Sequence, residues 1–333
     1  MQGLRKDRVS VKSHEDFVDS WLMPRIFCPQ GTVQGKHMIS VELISKRFGS
    51  LQAVESVSFE VERDGAFALL GPNGAGKSTT IHMLGGILPP DSGRVSIGGG
   101  DPGDPEVRRR IGVAPQSLAI YDELTGEENL RVFGRLYGLS GKQLRGRVEW
   151  ALGFAGLEDR RSDRAGTYSG GMKRRLNLAC ALVHGPELLI CDEPTVGVDP
   201  QSRNHIFECI EELKETGTAL LYTTHYMEEV QRLCDRVAIM DHGKILAVDT
   251  VEGLIGKHGG SSLVKAQLAS PPSPDLDLPG ELDGTSLRIE TGDPFEVVAS
   301  LGSAGIEVSE LHIERPDLEK VFLQLTGKSL RDQ

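Results

Sequence analysis

The first stretch with the residue types and spacing for chemistry is a glycine-rich loop after an apolar run. It consists of Gly71, Pro72, Asn73, Gly74, Ala75, Gly76, Lys77 and Ser78, and Thr79 follows it. The glycines let consecutive N–H groups turn inward around phosphate oxygens, and the next helix adds the positive end of its dipole. Lys77 is placed to reach the β and γ phosphates, and the Ser78 hydroxyl to ligate magnesium. The pattern predicts a nucleoside triphosphate site.

Two carboxylates form a second signal of the same kind. The apolar strand Leu188–Cys191 ends directly in Asp192 and Glu193, and in parallel sheets this end lies beside the phosphate loop. Asp192 is placed to organise the metal, and Glu193 to accept a proton from a water or to hold that water in line. His225 follows another predicted strand at the same edge, where it could contact the γ phosphate and orient Glu193.

The elements that must position these residues alternate along the chain. Short apolar strands and amphipathic helical segments follow one another from Ser40 onward, which is the signature of an α/β fold. In the helix predicted over Glu127–Tyr137, we expect Leu130, Phe133, Leu136 and Tyr137 to share one face. Residues 141–156 predict a similar helix. The predicted strands are Ile39–Leu43, Val57–Val61, Arg94–Ile97, Ile111–Ala114, Leu188–Cys191 and Ala219–Thr223.

Composition narrows the class of protein. A length of 333 residues favours one large and one small domain. The net charge of −11 and the lack of a long basic run argue against a nucleic-acid partner. The apolar stretches fall far below the ~20 residues that span a bilayer. Five widely spaced cysteines without a CxxC pair indicate reduced thiols in a cytoplasmic protein, with Cys180 and Cys191 buried in packing roles.

The two ends of the chain differ from its middle. Residues 1–37 are interpreted either as a loose, disordered extension or as a misassigned translation start, and are expected to be dispensable for ATP binding. Beyond Asp249, a proline-rich loop at 270–280 separates further predicted elements. These are the strands Leu263–Leu268, Ser286–Glu290 and Ile306–Ile313 and the helices Pro294–Leu301 and Asp317–Leu325. They predict a small α/β appendage over residues 251–333.

Three further features, Gln116, the run Tyr168–Met172 and His225, make the prediction of a phosphate-loop protein more specific. With them the chain resembles the ATP-binding cassette (ABC) ATPases. Gly71–Ser78 is similar to the Walker A motif of that family, and Gln116 to its Q-loop. The run Ser169, Gly170 and Gly171 is similar to the family signature, although Tyr168 and Met172 replace its frequent leucine and glutamine. Leu188–Glu193 is similar to Walker B, Val198–Asp199 to the D-loop and His225 to the switch histidine.

This resemblance implies a P-loop NTPase fold for residues 38–250: a RecA-like core with a helical subdomain at about 115–185. It also implies that Ser169–Gly171 closes on the γ phosphate held by a second copy, in a homodimer around two ATP molecules. Gln116 would contact magnesium and water, together with Ser78 and Asp192 as metal residues. Phe48 stands where the family commonly stacks a tyrosine on adenine. The departures resemble the drug-exporter branch, whose cassettes serve ABC-2 type permeases.

The expected function is therefore an ATP-hydrolysing subunit that powers transport, in the export direction, through a separate membrane permease. Glu193, His225 and Lys77 would be its catalytic residues. The subunit would be cytoplasmic and peripheral on the inner face of the membrane. Alternatives are a soluble ABC-type ATPase with a regulatory, non-transport role and a nucleotide-binding regulator without turnover. The translation-factor type usually carries two cassettes, and the DNA-repair type has a long coiled coil; neither feature is found here. For the appendage, dimer contact or regulation and a stabilising cap remain equally open.

Overall fold

The structure, a computed structural model, describes residues 36–271 and 278–327. The predicted N-terminal extension lies outside this range except for its last two residues, as does most of the proline-rich loop. The strands are β1 (His37–Phe48), β2 (Leu51–Glu62), β3 (Ala66–Leu70), β4 (Ser92–Ile97), β5 (Ile111–Ala114), β6 (Leu188–Asp192), β7 (Ala219–Thr224), β8 (Arg236–Asp241), β9 (Lys244–Thr250), β10 (Ser262–Leu268), β11 (Glu281–Asp283), β12 (Ser286–Thr291) and β13 (Val308–Glu314).

Helices alternate with these strands through the middle of the chain. They are α1 (Lys77–Leu84), α2 (Pro105–Arg108), α3 (Gly126–Leu136), α4 (Gly141–Phe154), α5 (Gly170–Leu182), α6 (Pro200–Glu215), α7 (Met227–Leu233), α8 (Val251–His258), α9 (Pro294–Ser303) and α10 (Leu318–Thr326). Among the described residues, none of these helices has both the length and the apolar character needed to cross a bilayer.

A six-stranded sheet in the order β5-β6-β7-β3-β8-β9 forms the centre of the fold. Its strands run parallel except β9, which pairs antiparallel with β8. Every residue of β3, β6 and β7 is buried, as expected for parallel strands with both faces covered. Because their carboxyl ends meet at one edge, the residues that follow β3, β6 and β7 come together there. The apolar runs had predicted β5, β6 and β7 correctly.

A second, antiparallel sheet packs its apolar side chains against one face of the six-stranded sheet. Its order is β2-β1-β4, and its buried side chains share one apolar cluster with those of β3, β8 and α1. Irregularities interrupt the pairing of β1 with β2, and Leu43 and Ser56 there have left-handed backbone with φ of 48° and 51°. The sheet therefore twists while it keeps its apolar face on the core.

The helices α3, α4 and α5 enclose a separate apolar cluster. One prediction about α3 is wrong: Leu130 is fully buried, but Leu136 is 71% exposed. At about 100° per residue, a position six residues on lies about 240° around the helix, on the far side. Phe133, three residues after Leu130, does contact the cluster. Each step of three residues falls about 60° short of a full turn, so two such steps, from Leu130 through Phe133 to Leu136, carry Leu136 off the buried face of α3.

The chain beyond β9 contributes to two different cores. An antiparallel sheet in the order β11-β12-β10-β13 packs with α9 around its own apolar cluster. In contrast, Leu254 of α8 and Leu318, Val321 and Phe322 of α10 are buried in the cluster that lies under β6 and β7. The sequence had predicted β10, β12, α9 and α10, with β13 beginning two residues later than expected. It had not predicted β8, β9 or β11.

The cysteines of the described residues are Cys180, Cys191, Cys209 and Cys234, all of them free and buried. Burial raises the pKa of the Cys180 and Cys191 thiols, which keeps them protonated and unreactive. The predicted packing roles of these two cysteines agree with this placement.

Candidate functional site

The glycine loop lies between β3 and α1, and its backbone leaves no room for larger residues. Gly76 has φ of 104°, and a Cβ there would lie 2.5 Å from the carbonyl oxygen of Ala53. A Cβ on Gly71 would lie 2.2 Å from the carbonyl oxygen of Met240. Glycine is therefore required at both positions by close backbone approach. The N-terminus of α1 follows this loop directly, with Gly76 as its cap residue, and the start of a helix provides the N–H groups that an anion site needs.

Lys77 lies at the start of α1 with its side chain buried. Its Nζ donates hydrogen bonds to the carbonyl oxygens of Gly71 at 2.8 Å and Pro72 at 3.0 Å, and lies 3.1 Å from Oε1 of Glu193. The ammonium group thus rests over its own loop, between the loop and the carboxylate. A phosphate in the loop would be attracted to the same ammonium group.

The other loop residues differ in exposure. Asn73, Gly74 and Ser78 are exposed, Gly76 and Thr79 are half-buried, and Pro72 and Ala75 are buried. Because Ser78 is in the first turn of α1 and open to solvent, its hydroxyl is free to face a ligand.

Glu193 occupies an unusual backbone position directly after β6. Its φ is 46°, in the left-handed region that costs a non-glycine residue about 1 kcal/mol or more. Its N–H donates to the carbonyl oxygen of Thr223 at 3.1 Å, on the neighbouring strand β7. Such strain persists only where the surroundings hold it, and here it turns a carboxylate towards the loop.

Three side chains from separate segments converge on the Glu193 carboxylate. Lys77 approaches Oε1, Gln116 donates from Nε2 to Oε2 at 3.1 Å, and Nδ1 of His225 lies 3.4 Å from Oε1. Glu193 itself is only 5% exposed. The structure thus brings together four residues that the sequence predicted as one site. The cluster places an ammonium, an amide and an imidazole within 3.4 Å of one buried carboxylate.

The imidazole of His225 is incompletely satisfied. Its Nδ1 is buried and makes no hydrogen bond of normal geometry, although Glu193 is near. Its ring lies 4.1 Å from that of Tyr226, centroid to centroid. A buried polar atom without a partner costs free energy, and a phosphate oxygen or a water here would relieve that cost. The residue therefore fits a ligand-contacting role.

Asp192 ends β6 beside this cluster. It is buried, and its Oδ1 accepts a hydrogen bond from the Thr223 hydroxyl at 2.6 Å. Together with the Ser78 hydroxyl and the Gln116 amide, it offers the hard oxygen ligands that magnesium prefers. The residue types therefore fit the ion. Sequence reasoning missed Thr223, which contacts both Asp192 and Glu193; its place at the end of a strand parallel to β6 was the available signal.

The backbone around Gln116 is fixed by a second residue that the sequence did not indicate. Arg174 of α5 donates to the Gln116 carbonyl oxygen, and to that of Val196 at 3.3 Å. One guanidinium thus joins α5, the Gln116 segment and the segment after Glu193. No local pattern marks Arg174, which lies in the run Lys173-Arg174-Arg175 on α5.

The Ser169–Gly171 segment lies apart from the Glu193 cluster. Ser169 caps α5, with its Oγ accepting from the Met172 N–H at 3.3 Å. Gly170 is exposed, and a Cβ on it would meet nothing within 4 Å. On the other side, a Cβ on Gly171 would lie 2.0 Å from the Ser202 hydroxyl. In the part of the chain that the structure describes, no hydrogen bond or ion pair joins the segment to Lys77 or Glu193.

The residues around the signature are built into the helical part of the fold. Tyr168 is buried and donates its hydroxyl to the carbonyl oxygen of Arg160 at 2.7 Å. Met172 packs against the cluster of α3, α4 and α5. The departures from the family pattern thus serve packing, and they leave the Ser169 hydroxyl and the glycine N–H groups in place.

Phe48 ends β1 at the tip of a hairpin. Its ring is 50% exposed, and it pairs with Leu51, the first residue of β2. Two residues later, Ala53 makes the close backbone approach to Gly76 described above. The ring is therefore exposed and free to stack on a base, and its hairpin packs closely against the phosphate loop.

Comparison with known proteins agrees with this geometry. Residues 54–196 match the ABC transporter family. The linearmycin resistance ATP-binding protein LnrL of Bacillus subtilis is 42% identical over 89% of this chain and 100% of its own length. The Nod factor export ATP-binding protein I of Rhizobium sp. is 40% identical over 89% of this chain and 99% of its own.

A solved structure described as the ATP-binding subunit of an ABC transporter superposes with a TM-score of 0.62 at 34% identity, over 67% of this chain and 93% of its own. The predicted family, fold class and ATPase activity are thereby confirmed, and resistance and export relatives are consistent with an exporter-like branch. The chain belongs to the ATP-hydrolysing, ATP-binding subunits of ABC transporters.

Proposed function

We propose that the Glu193 cluster is the hydrolytic centre of this ATPase. The observation that carries the proposal is the convergence of Lys77, Gln116 and His225 on one buried carboxylate beside a phosphate-binding loop. ATP would draw the Lys77 ammonium from Glu193 to its β and γ phosphates. The freed carboxylate would then hold the attacking water in line, and His225 would contact the γ phosphate.

Magnesium completes the proposed substrate complex. The Ser78 hydroxyl, the Asp192 carboxylate and the Gln116 amide would hold the ion, since all three offer oxygen ligands. The ion supplies charge neutralisation between the β and γ phosphates. Thr223 would keep Asp192 oriented through the 2.6 Å hydrogen bond to its Oδ1.

The second half of each ATP site is proposed to come from a second copy of the chain. Support comes from Ser169–Gly171, which combines a helix N-terminus, a hydroxyl and an exposed glycine. This set of groups suits an anion. Within its own chain the segment lies against the start of α6, at Ser202, and no hydrogen bond among the described residues joins it to the phosphate loop. Two copies would therefore enclose two ATP molecules in a symmetric dimer.

The proposed role of hydrolysis is to drive export through a separate membrane permease, with the subunit cytoplasmic and bound to the inner face of the membrane. One relative is named for Nod factor export and another for linearmycin resistance, and the first of these names supports export by that protein. Their matches extend over nearly the full length of both chains, which supports the same task here. Copurification of the chain with an integral membrane protein would test this partner.

We also propose a division into a cassette over 38–250, with the helical subdomain at about 115–185, and a small domain over 251–333. The helical subdomain and the small domain each have an apolar cluster of their own, which supports this division. The burial of α8 and α10 in the main core supports a stabilising cap as one role of the small domain.

The hydrolytic assignment is tested by Glu193→Gln. This change keeps the size of the side chain and removes its charge, so ATP hydrolysis should fall about a hundredfold or more. ATP binding should persist, and the ATP-bound dimer should accumulate in size-exclusion chromatography. The matched control is Glu187→Gln: Glu187 precedes β6 as Glu193 follows it, and its carboxylate pairs with Arg110 at 2.8 and 2.7 Å. Hydrolysis by Glu193→Gln at the parental rate would falsify the assignment.

A further inference from the structure

Besides Asp192 and Glu193, a further carboxylate is buried near this site, that of Glu229 on α7. Glu229 is fully buried, with 0% exposure. Its Oε1 accepts from the Thr195 hydroxyl at 2.5 Å and from Arg203 Nε at 3.1 Å; its Oε2 accepts from the hydroxyls of Thr224 at 2.7 Å and Tyr222 at 3.0 Å. All of these partners donate, which suits an ionised carboxylate with no proton of its own. A network so fully satisfied holds its members in one arrangement.

The donors belong to three segments that reach the nucleotide site. Thr195 lies two residues after Glu193, and its carbonyl oxygen accepts from the Val198 N–H at 3.2 Å. Arg203 lies in the first turns of α6, whose cap is Asp199. Glu229 therefore ties the segment after β6 to the helix that follows it.

The third segment carries the switch histidine. Thr224 directly precedes His225, and its hydroxyl also accepts from the Tyr226 N–H at 2.9 Å, which closes a tight turn around the histidine. The Arg203 guanidinium lies 4.9 Å from the centre of the Tyr226 ring, and that ring contacts His225. Glu229 thus reaches His225 by two routes, through Thr224 and through Arg203, and touches neither it nor Glu193.

We infer that Glu229 is a positioning residue for hydrolysis: its carboxylate sets the place of His225 and of residues 195–199 relative to Glu193. The inference rests on the roles proposed above for Glu193 and His225. The phosphate loop and α1 make no hydrogen bond or ion pair with Glu229 among the described residues. Loss of the carboxylate should therefore slow the chemical step and leave ATP binding intact, since misplacement of catalytic groups by a fraction of an ångström already costs rate.

The test is Glu229→Gln in the full chain, with Glu228→Gln as matched control, because Glu228 is the adjacent residue and is exposed. The glutamine amide would place an NH₂ donor where Glu229 has an accepting oxygen. Because the surrounding hydroxyl and guanidinium groups also donate, the network would rearrange. We expect kcat to fall about ten- to a hundredfold, with the KM and Kd for ATP within about twofold of the parent. Glu228→Gln should keep all three.

Two further measurements separate positioning from general loss of stability. Glu187→Gln, which breaks a half-buried ion pair far from His225, should lower the melting temperature without lowering kcat. In a spectrum of protein with ¹³C-labelled histidine rings, the His225 signal, assigned by its loss in His225→Ala, should move in Glu229→Gln, while that of His312 on β13 stays.

If Glu229→Gln does not fold, Thr224→Val and Thr195→Val each remove one donor, and smaller losses of kcat at constant Kd are expected. A parental kcat in the folded variants overturns the inference, as does a loss of kcat with an unmoved His225 signal. Failure of the proposed site is distinguishable, because it would appear as parental hydrolysis by Glu193→Gln, whatever Glu229→Gln does.

Discussion

The phosphate loop and the Ser169–Gly171 segment are built alike, since each places glycines and a hydroxyl at the start of a helix. Their surroundings differ. The loop is closed by side chains of its own chain, with Lys77 folded over it and Glu193 held in a strained backbone position behind it. At the signature, Ser169 caps its own helix and Gly170 faces open space.

The same local chemistry can therefore make either a complete or an unfinished anion site. The free N–H groups and the dipole of a helix start are common to both. The side chains proposed for catalysis, Lys77, Glu193 and His225, lie at the loop. We therefore expect that the chain binds nucleotide by itself and needs a second copy for turnover.

The largest effect is expected from Ser169→Arg, which fills the open side of the signature. Hydrolysis should fall about a hundredfold, because an anion-stabilising contact is lost and a bulky group enters the dimer interface. The Kd for ATP of the isolated chain should stay within about threefold, because among the described residues Ser169 makes no hydrogen bond with the phosphate loop of its own chain. Steady-state hydrolysis and equilibrium binding measure the two quantities.

Mixing Ser169→Arg with Glu193→Gln tests directly whether two copies of the chain complete each ATP site. In a mixed dimer, one site would combine both defects, and the other would have an intact Glu193 and an intact Ser169. Two nearly inactive proteins should thus regain about a quarter of the parental activity, since random pairing makes half of the dimers mixed, with one good site each. Two copies of either variant alone are the controls. If the mixture stays inactive at all ratios while the variants still dimerise, the site is not shared.

A smaller effect, on the pH dependence of stability, is expected at His184, where the end of α5 meets β5 and the end of α3. His184, just beyond α5, stacks on Tyr137 at 3.6 Å between ring centroids, and its Nε2 lies 3.2 Å from the carbonyl oxygen of Ile111 on β5. Burial lowers the pKa of His184 to about 4 from its usual 6.5. Its neutral form therefore stabilises the fold above pH 6.5. That contribution is lost as the pH falls from 6.5 towards 4, because the unfolded chain takes up the proton first.

The loss should amount to about 1 to 3 kcal/mol at the acid end, with the range reflecting the partial exposure of the ring. His184→Phe keeps the stack on Tyr137 and removes the titration, so its melting temperature should fall less between pH 7 and pH 4.5 than that of the parent. His312→Phe, at an exposed site on β13, controls for the loss of a histidine. An equal acid shift in the parent and in His184→Phe would contradict the assignment.

Much of this architecture follows from sequence patterns whose physics is local. The buried strands β5, β6 and β7 are short apolar runs with turn residues at their ends, and the phosphate loop lies in the strand–loop–helix context that its pattern requires. β8 has a similar apolar run, but four such residues are compatible with strand or helix, and no motif marks it. Leu136 was predicted on the wrong face of α3, because an interval of six residues leaves two side chains about 240° apart around a helix.

The parts of the site that the sequence did not indicate depend on contacts between distant segments. Glu228 and Glu229 are adjacent and identical in type, yet one is exposed and the other wholly buried with hydroxyl and guanidinium partners. Only the packing of α7 against β7 and α6 distinguishes them. Thr223 likewise acquires its two carboxylate neighbours from the parallel register of β6 and β7.

The smallest effect is expected at Phe48, on the hairpin next to the phosphate loop. Phe48→Ala should raise the KM for ATP about three- to fivefold and leave kcat near the parental value, since an exposed aromatic stack contributes about 0.5–1.5 kcal/mol. Phe48→Tyr keeps a ring and should behave like the parent. Leu51→Ala, at the paired position of the hairpin, controls for the loss of exposed apolar surface. GTP hydrolysis should be affected similarly, because stacking reads the face of the base and not its edge. An unchanged KM in Phe48→Ala would show that the ring does not contact the nucleotide. Binding would then depend on the phosphates and not on stacking of the base on Phe48.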